Sequence, residues 1–120
     1  MLPTVVVVIV GLTVAINAFS GVAALLHWQA ILPGMVKAGV PESWLSFPIG
    51  TLKTAGALGL LAGLLIQLPA LVVAAAIGLV LFFVCALYTH VRAADFTAQF
   101  FLAVFFLGMA CASLVLTLTA

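Results

Sequence analysis

Pro48–Leu68 reads PIGTLKTAGALGLLAGLLIQL, and one proline later Ala70–Thr89 reads ALVVAAAIGLVLFFVCALYT. Each run is close to the roughly 20 apolar residues that one helical crossing of a bilayer requires. Lys53 is the only charged residue in either. The Gln67-Leu68-Pro69 junction leaves room for only a tight turn. Two such runs joined so closely predict an antiparallel helical hairpin dissolved in lipid. Hydrocarbon offers backbone N–H and C=O groups no partner, so each span must satisfy its own and become a helix. That requirement overrides the strand preference of the branched stretches Val5–Val10 and Leu71–Val73.

Two further runs flank the hairpin, about Thr4–Leu26 and about Phe96–Leu118. Between the first and second runs lies a more polar stretch, His27–Phe47, where Pro33, Gly34, Gly39, Pro41 and Ser43 interrupt regular structure. His90–Asp95 forms the other connector. The expected architecture is an all-α, four-transmembrane-helix bundle in one domain, residues 1–120, with helices at about 4–26, 48–68, 70–89 and 96–118. Four crossings put both termini on one side of the membrane and both connectors on the other. Lys37 and Arg92 lie in the connectors, and no Lys or Arg flanks the opposite side, so the positive-inside rule favours cytoplasmic connectors. The first run lacks a basic leader and exceeds the usual apolar core of a signal peptide, so it reads as a permanent helix.

Composition agrees. Of 120 residues 68% are hydrophobic and only 4% charged, with a mean hydropathy of +1.57. A soluble domain carries about 25% charged residues and could not keep a surface in water without them. The bilayer is therefore the chain's first partner and a cell membrane its location. A net charge of +1 with no basic stripe excludes nucleic acid. Cys85 and Cys111 belong to different runs and form no CxxC spacing. At 1.5 Å of rise per residue their depths differ by roughly 15 Å, too far for a disulfide within the chain.

The few polar residues gather in one half of the molecule. Lys53 lies roughly 7–8 Å below the connector side of the second helix, and Asn17 roughly 14 Å below it in the first. Tyr88 and His90 end the third helix, Asp95 and Gln99 open the fourth, and Glu42 and Trp44 lie in the long connector. At 100° per residue, Thr13, Asn17, Ser20, Gly21 and Ala24 share one face of the first helix. Lys53, Gly56, Leu60 and Gly63 share a face of the second, and Gln99, Ala103, Ala110, Ser113 and Thr117 a face of the fourth. Such stripes mark the bundle interior, because small residues let helices approach. An ammonium inside a bilayer costs about 2.5–3.5 kcal/mol on insertion scales. Lys53 can snorkel to the headgroups. Its place on the glycine stripe instead predicts that it points inward and pairs with Glu42 or Asp95. His90 can act as a helix C-terminal partner or as a titrating group, and Asp95 as a cap for the fourth helix. His27 with Trp28 reads as an interfacial anchor. There is no Ser-His-Asp arrangement, phosphate loop or HExxH motif, and no metal-ligand spacing.

The stretch Gly39–Gly63, GVPESWLSFPIGTLKTAGALGLLAG, and the segment Tyr88–Asp95, YTHVRAAD, resemble the signature segments of the DoxX-like family of small membrane proteins. Asn17 and Gly21 are similar to its first-helix pattern. The resemblance implies a four-helix membrane bundle. Its motif positions fall here on Asn17, Pro41, Gly50, Lys53, Gly56, Gly59, His90, Arg92 and Asp95. Relatives are associated with membrane redox systems, including a thiosulfate-to-quinone oxidoreductase and a superoxide-detoxifying assembly, and a distant animal relative is a receptor chaperone. The resemblance transfers no catalytic assignment.

Two functions fit these residues. One is a polar pocket at one end of the bundle that binds a lipophilic small molecule, quinone or isoprenoid-like. Lys53, His90, Asp95 and Glu42 are its candidate catalytic groups, and Asn17, Tyr88, Arg92, Gln99 and Trp44 its candidate ligand contacts. Isomerisation, cyclisation or epoxide opening would need nothing more than these acids and bases. The chain shows no redox centre, so electron transfer would need a quinone or a redox partner. The other is a non-enzymatic accessory or assembly subunit of a membrane redox complex, for which abundant glycines suit helix docking. A transport pathway would require a homo-oligomer.

Overall fold

The computed structural model describes residues 1–120. Helix α1 (Thr4–Leu25) is followed by a 3-10 turn at Gln29–Ile31 and a short helix α2 (Leu32–Ala38). Two tight helical turns over Glu42–Gly50 lead into α3 (Thr51–Leu65), then α4 (Pro69–Arg92) and α5 (Ala98–Thr119). Strands are absent, and four segments are long and apolar enough to cross a membrane: Thr4–Leu25, Glu42–Leu65, Pro69–Arg92 and Ala98–Thr119. The protein is a multi-pass integral membrane protein. Only 23 of 120 residues are buried, and large side chains such as Phe19, Leu65, Leu81 and Phe101 stand exposed on the outside of the bundle. Lipid is the medium that covers them.

The four long helices form a ring in which α1 packs on α3 and α5, and α4 packs on α3 and α5. The stripes read from the sequence face its axis: Thr13, Asn17, Gly21 and Ala24 on α1, Leu60 and Gly63 on α3, and Ala103, Ala110, Ser113 and Thr117 on α5 are all buried. The hydroxyls satisfy themselves locally. Thr13 Oγ1 donates to the Ile9 carbonyl at 2.8 Å and lies 2.9 Å from Ser113 Oγ, a bond that joins α1 to α5. Thr117 Oγ1 donates to the Ser113 carbonyl at 2.6 Å.

Glycines set the α3–α4 spacing. A Cβ on Gly63 would stand 2.5 Å from Val72 Cγ2 and 2.9 Å from the Val72 nitrogen, and one on Gly56 would meet Leu79 Cδ2 at 2.5 Å. Gly59 faces Ala75 in the same seam. Towards the connectors this small-residue seam ends, and a cavity occupies the same end of the bundle. At the opposite end the Leu2 N–H donates to Gln67 Oε1 at 2.8 Å, and Met1, Gln67, Thr117 and Ala120 border one small space of about 200 Å³.

The connectors depart from expectation. The long one is largely helical despite Pro33 and Gly34. Proline occupies the first turn of α2, where its missing N–H would have had no intrahelical partner. Gly39, with φ of 73°, closes α2 in the left-handed conformation, as the Val40 N–H reaches back to the Met35 carbonyl. The other connector is shorter than read, because α4 runs through His90 and Val91 to Arg92. His27 is a brace across the long connector, its Nε2 2.9 Å from Ser46 Oγ. Cysteines introduced at the exposed positions Ser43 and Phe96, in a chain lacking Cys85 and Cys111, should react with an impermeant maleimide from the same side of a sealed vesicle. Opposite sidedness would break the four-span topology. The native Cys85 and Cys111 are both free thiols.

Candidate functional site

Lys53 sits in the first turn of α3 and turns inward. Its Nζ donates to Ser20 Oγ on α1 at 2.8 Å. The same ammonium lies 5.6 and 5.9 Å from the ring centroids of Phe83 and Phe82 on α4, and 5.4 Å from that of Phe106 on α5. All four spans therefore meet at this one cation. The expected carboxylate partner is not there: the only ion pair in the molecule joins His90 to Asp95. Glu42 is exposed on its 3-10 turn and makes no ion pair, and both oxygens of Asp95 are committed elsewhere. The ring faces supply electron density in place of a counter-ion.

At the end of α4, Ala94 adopts φ of 52° and the Asp95 N–H bonds back to the His90 carbonyl at 2.9 Å. This turn folds Asp95 onto the helix it follows. Its Oδ2 accepts from His90 Nδ1 at 2.9 Å, and its Oδ1 accepts from the Thr97 hydroxyl at 2.7 Å and the Thr97 N–H at 3.2 Å. The Thr97 hydroxyl foremost, then the Thr97 N–H and the His90 ring, hold the Asp95 carboxyl below the ordinary carboxylate range against the opposing effect of its burial. An ionised carboxylate only accepts, so Nδ1 carries the proton and Nε2 is the ring nitrogen left to exchange one. A depressed folded-state value means that this cluster contributes stability fully above the unfolded Asp value of about 3.9, and loses it as pH falls through the folded value. Thermal melting in detergent from about pH 6 to pH 3 should therefore show an acid-side loss that Asp95→Asn removes. Superimposable profiles would contradict the cluster.

Left-handed Ala94 carries a steric cost of roughly 1–2 kcal/mol, part of which glycine would return to a more flexible unfolded chain. Ala94→Gly should stabilise the protein by about 0.5–1 kcal/mol in the same melting assay; a destabilised variant would show that the turn is held differently.

Lys53 and His90 both border a cavity of about 500 Å³ beneath α2 and the turns that follow it. Ser20, Trp44, Thr89 and Gln99 add polar groups to a wall that is otherwise mostly apolar. Leu52, Gly78 and Leu81, exposed on α3 and α4, also line it, so it reaches the outside along the α3–α4 seam. A Cβ on Gly34 of α2 would touch Gln99 Cγ at 2.5 Å, which seats α2 over the cavity.

The DoxX-like family model matches residues 8–113. The chain belongs to the DoxX-like family. No curated protein and no solved structure matches it. In this DoxX-like protein, four of the residues picked out by sequence converge on the cavity: Lys53, His90, Gln99 and Trp44. Asp95 stands behind His90. The others lie apart from it. Asn17 is buried in the α1 interior, its Nδ2 donating to the Thr13 carbonyl at 2.9 Å, and Tyr88 and Arg92 are exposed on α4. Sequence reading passed over Phe82, Phe83 and Phe106, because an aromatic in an apolar run has the same pattern whether it faces lipid or a cation.

Proposed function

We propose that this DoxX-like protein binds a lipophilic small molecule drawn from the bilayer, its tail between α3 and α4 and its oxygen-bearing head at Lys53. A quinone or an isoprenoid-like molecule has this form. The observation that carries the reading is an inward-facing ammonium and a carboxylate-held histidine on the wall of one mostly apolar cavity. The volume, about 500 Å³, falls within the roughly 300–1,000 Å³ of small-molecule sites. Lys53 would polarise or hold an oxygen of the head, and His90, through Nε2, would take up or return a proton while Asp95 fixes the ring. Acid–base chemistry such as isomerisation or epoxide opening is within reach of these groups.

The test exploits two glycines. Gly78 lines the mouth and Gly108 does not, and a Cβ on either meets nothing within 4 Å. Gly78→Phe should fill the mouth without disturbing the fold, and Gly108→Phe should serve as its control. Native mass spectrometry of protein released from mild detergent should find a retained lipophile in the wild type and Gly108→Phe, and lose it in Gly78→Phe. Equal retention in all three, or none in the wild type, would count against the site.

A further inference from the structure

We infer that the head of the bound molecule is an anion, a carboxylate or a phosphate monoester on a single apolar chain. The inference rests on the cavity reading above and narrows it. An ammonium has three N–H donors. Ser20 takes one in this structure, and no other hydrogen-bond acceptor meets Nζ. Three phenyl faces surround it, and they attract the charge without accepting a directed bond of comparable strength. Two donors are thus left over, on a group that borders the cavity.

The cavity's charge balance points the same way. Lys53 is the only Lys or Arg on its wall, and no Asp or Glu lines it. Asp95 cannot turn to neutralise the ammonium without abandoning His90 and both Thr97 donors. Glu42 is exposed and borders no part of the cavity. Ser20, Trp44, Thr89 and Gln99 on the wall are uncharged, and His90, which also lines it, is bonded to Asp95. A cation removed from water is costly unless a charge meets it. A neutral head such as a quinone carbonyl would meet the two donors but leave the charge. A carboxylate or phosphate oxygen would meet both, through charge-assisted bonds about twice as strong as neutral ones. The mostly apolar wall and the opening along the α3–α4 seam suit the chain that carries such a head.

Energy transfer supplies the measurement, because Trp44 lines the cavity and Trp28 does not. In a Trp28→Phe background in a nonionic micelle, cis-parinarate, a fluorescent fatty acid, should accept energy from Trp44 in a saturable manner. Oleate and dodecyl phosphate are then the competing anions, and oleyl alcohol and decylubiquinone the neutral competitors. At least one anion should compete at least tenfold more tightly than either neutral probe, and which anion does so assigns the head. Lys53→Met should abolish that preference and Lys53→Arg should keep it, with melting curves establishing that both variants are folded. Neutral probes that compete as well as the anions would overturn the inference and leave the cavity reading standing. So would an unchanged preference in Lys53→Met. The absence of saturable transfer, with neither anions nor neutral probes bound, would overturn both.

Discussion

Gly63→Leu should be among the most damaging single substitutions in the bundle. Glycine is needed there because the Val72 backbone nitrogen, not only its side chain, occupies the space a Cβ would take. A rotamer change cannot relieve a backbone contact, so α3 and α4 would have to move apart along the seam that Gly59 and Gly56 share. Overpacking typically costs about 1–3 kcal/mol, and a full leucine against a backbone atom belongs at or beyond the upper end. Helicity followed through detergent-induced unfolding should show that loss. Gly108→Leu, which meets open space, should change little. Equal effects at the two positions would mean that the seam is not a close contact.

Lys53→Met should have the opposite profile, with stability kept and binding lost. Removing one member of a buried ion pair strands the other, but Lys53 has no carboxylate to strand. Ser20 loses a donor, and its hydroxyl can instead bond back within α1, as serines in membrane helices do. Methionine preserves the stem, and its sulfur packs well against aromatic rings. The insertion cost of the charge, about 2.5–3.5 kcal/mol for a central lysine and less near a helix end, disappears. The variant should therefore melt no lower than the wild type while its retained lipophile falls at least tenfold. A large drop in melting temperature would instead mark Lys53 as a structural keystone and favour the accessory-subunit reading.

The spans were legible because a bilayer leaves an apolar segment few alternatives, and the interior faces because polar and small residues repeat at helical spacing. Asp95 meeting His90 was within reach of local reasoning, since five residues around a helix end bring them together. The partner of Lys53 was not. Charge matching pointed to Glu42 and Asp95, whereas the ammonium meets Ser20 and three phenyl rings on other helices. That choice depends on the relative rotation and height of α1, α4 and α5, which no single segment encodes. Helix α2 was missed for a different reason. Pro33 and Gly34 read as breakers, yet a proline in a first turn is compatible with a helix, and Gly34 leaves room for the Gln99 side chain where α2 closes on it.

The central claim is that the cavity takes in a molecule from the surrounding lipid. Trp44 reports on it most directly. In the Trp28→Phe protein reconstituted in vesicles, titration with cis-parinarate should quench Trp44 with a saturable component above the linear quenching that membrane partitioning produces. Adding Gly78→Phe should remove that component and leave the linear part. Identical, purely linear quenching in both proteins would contradict the account.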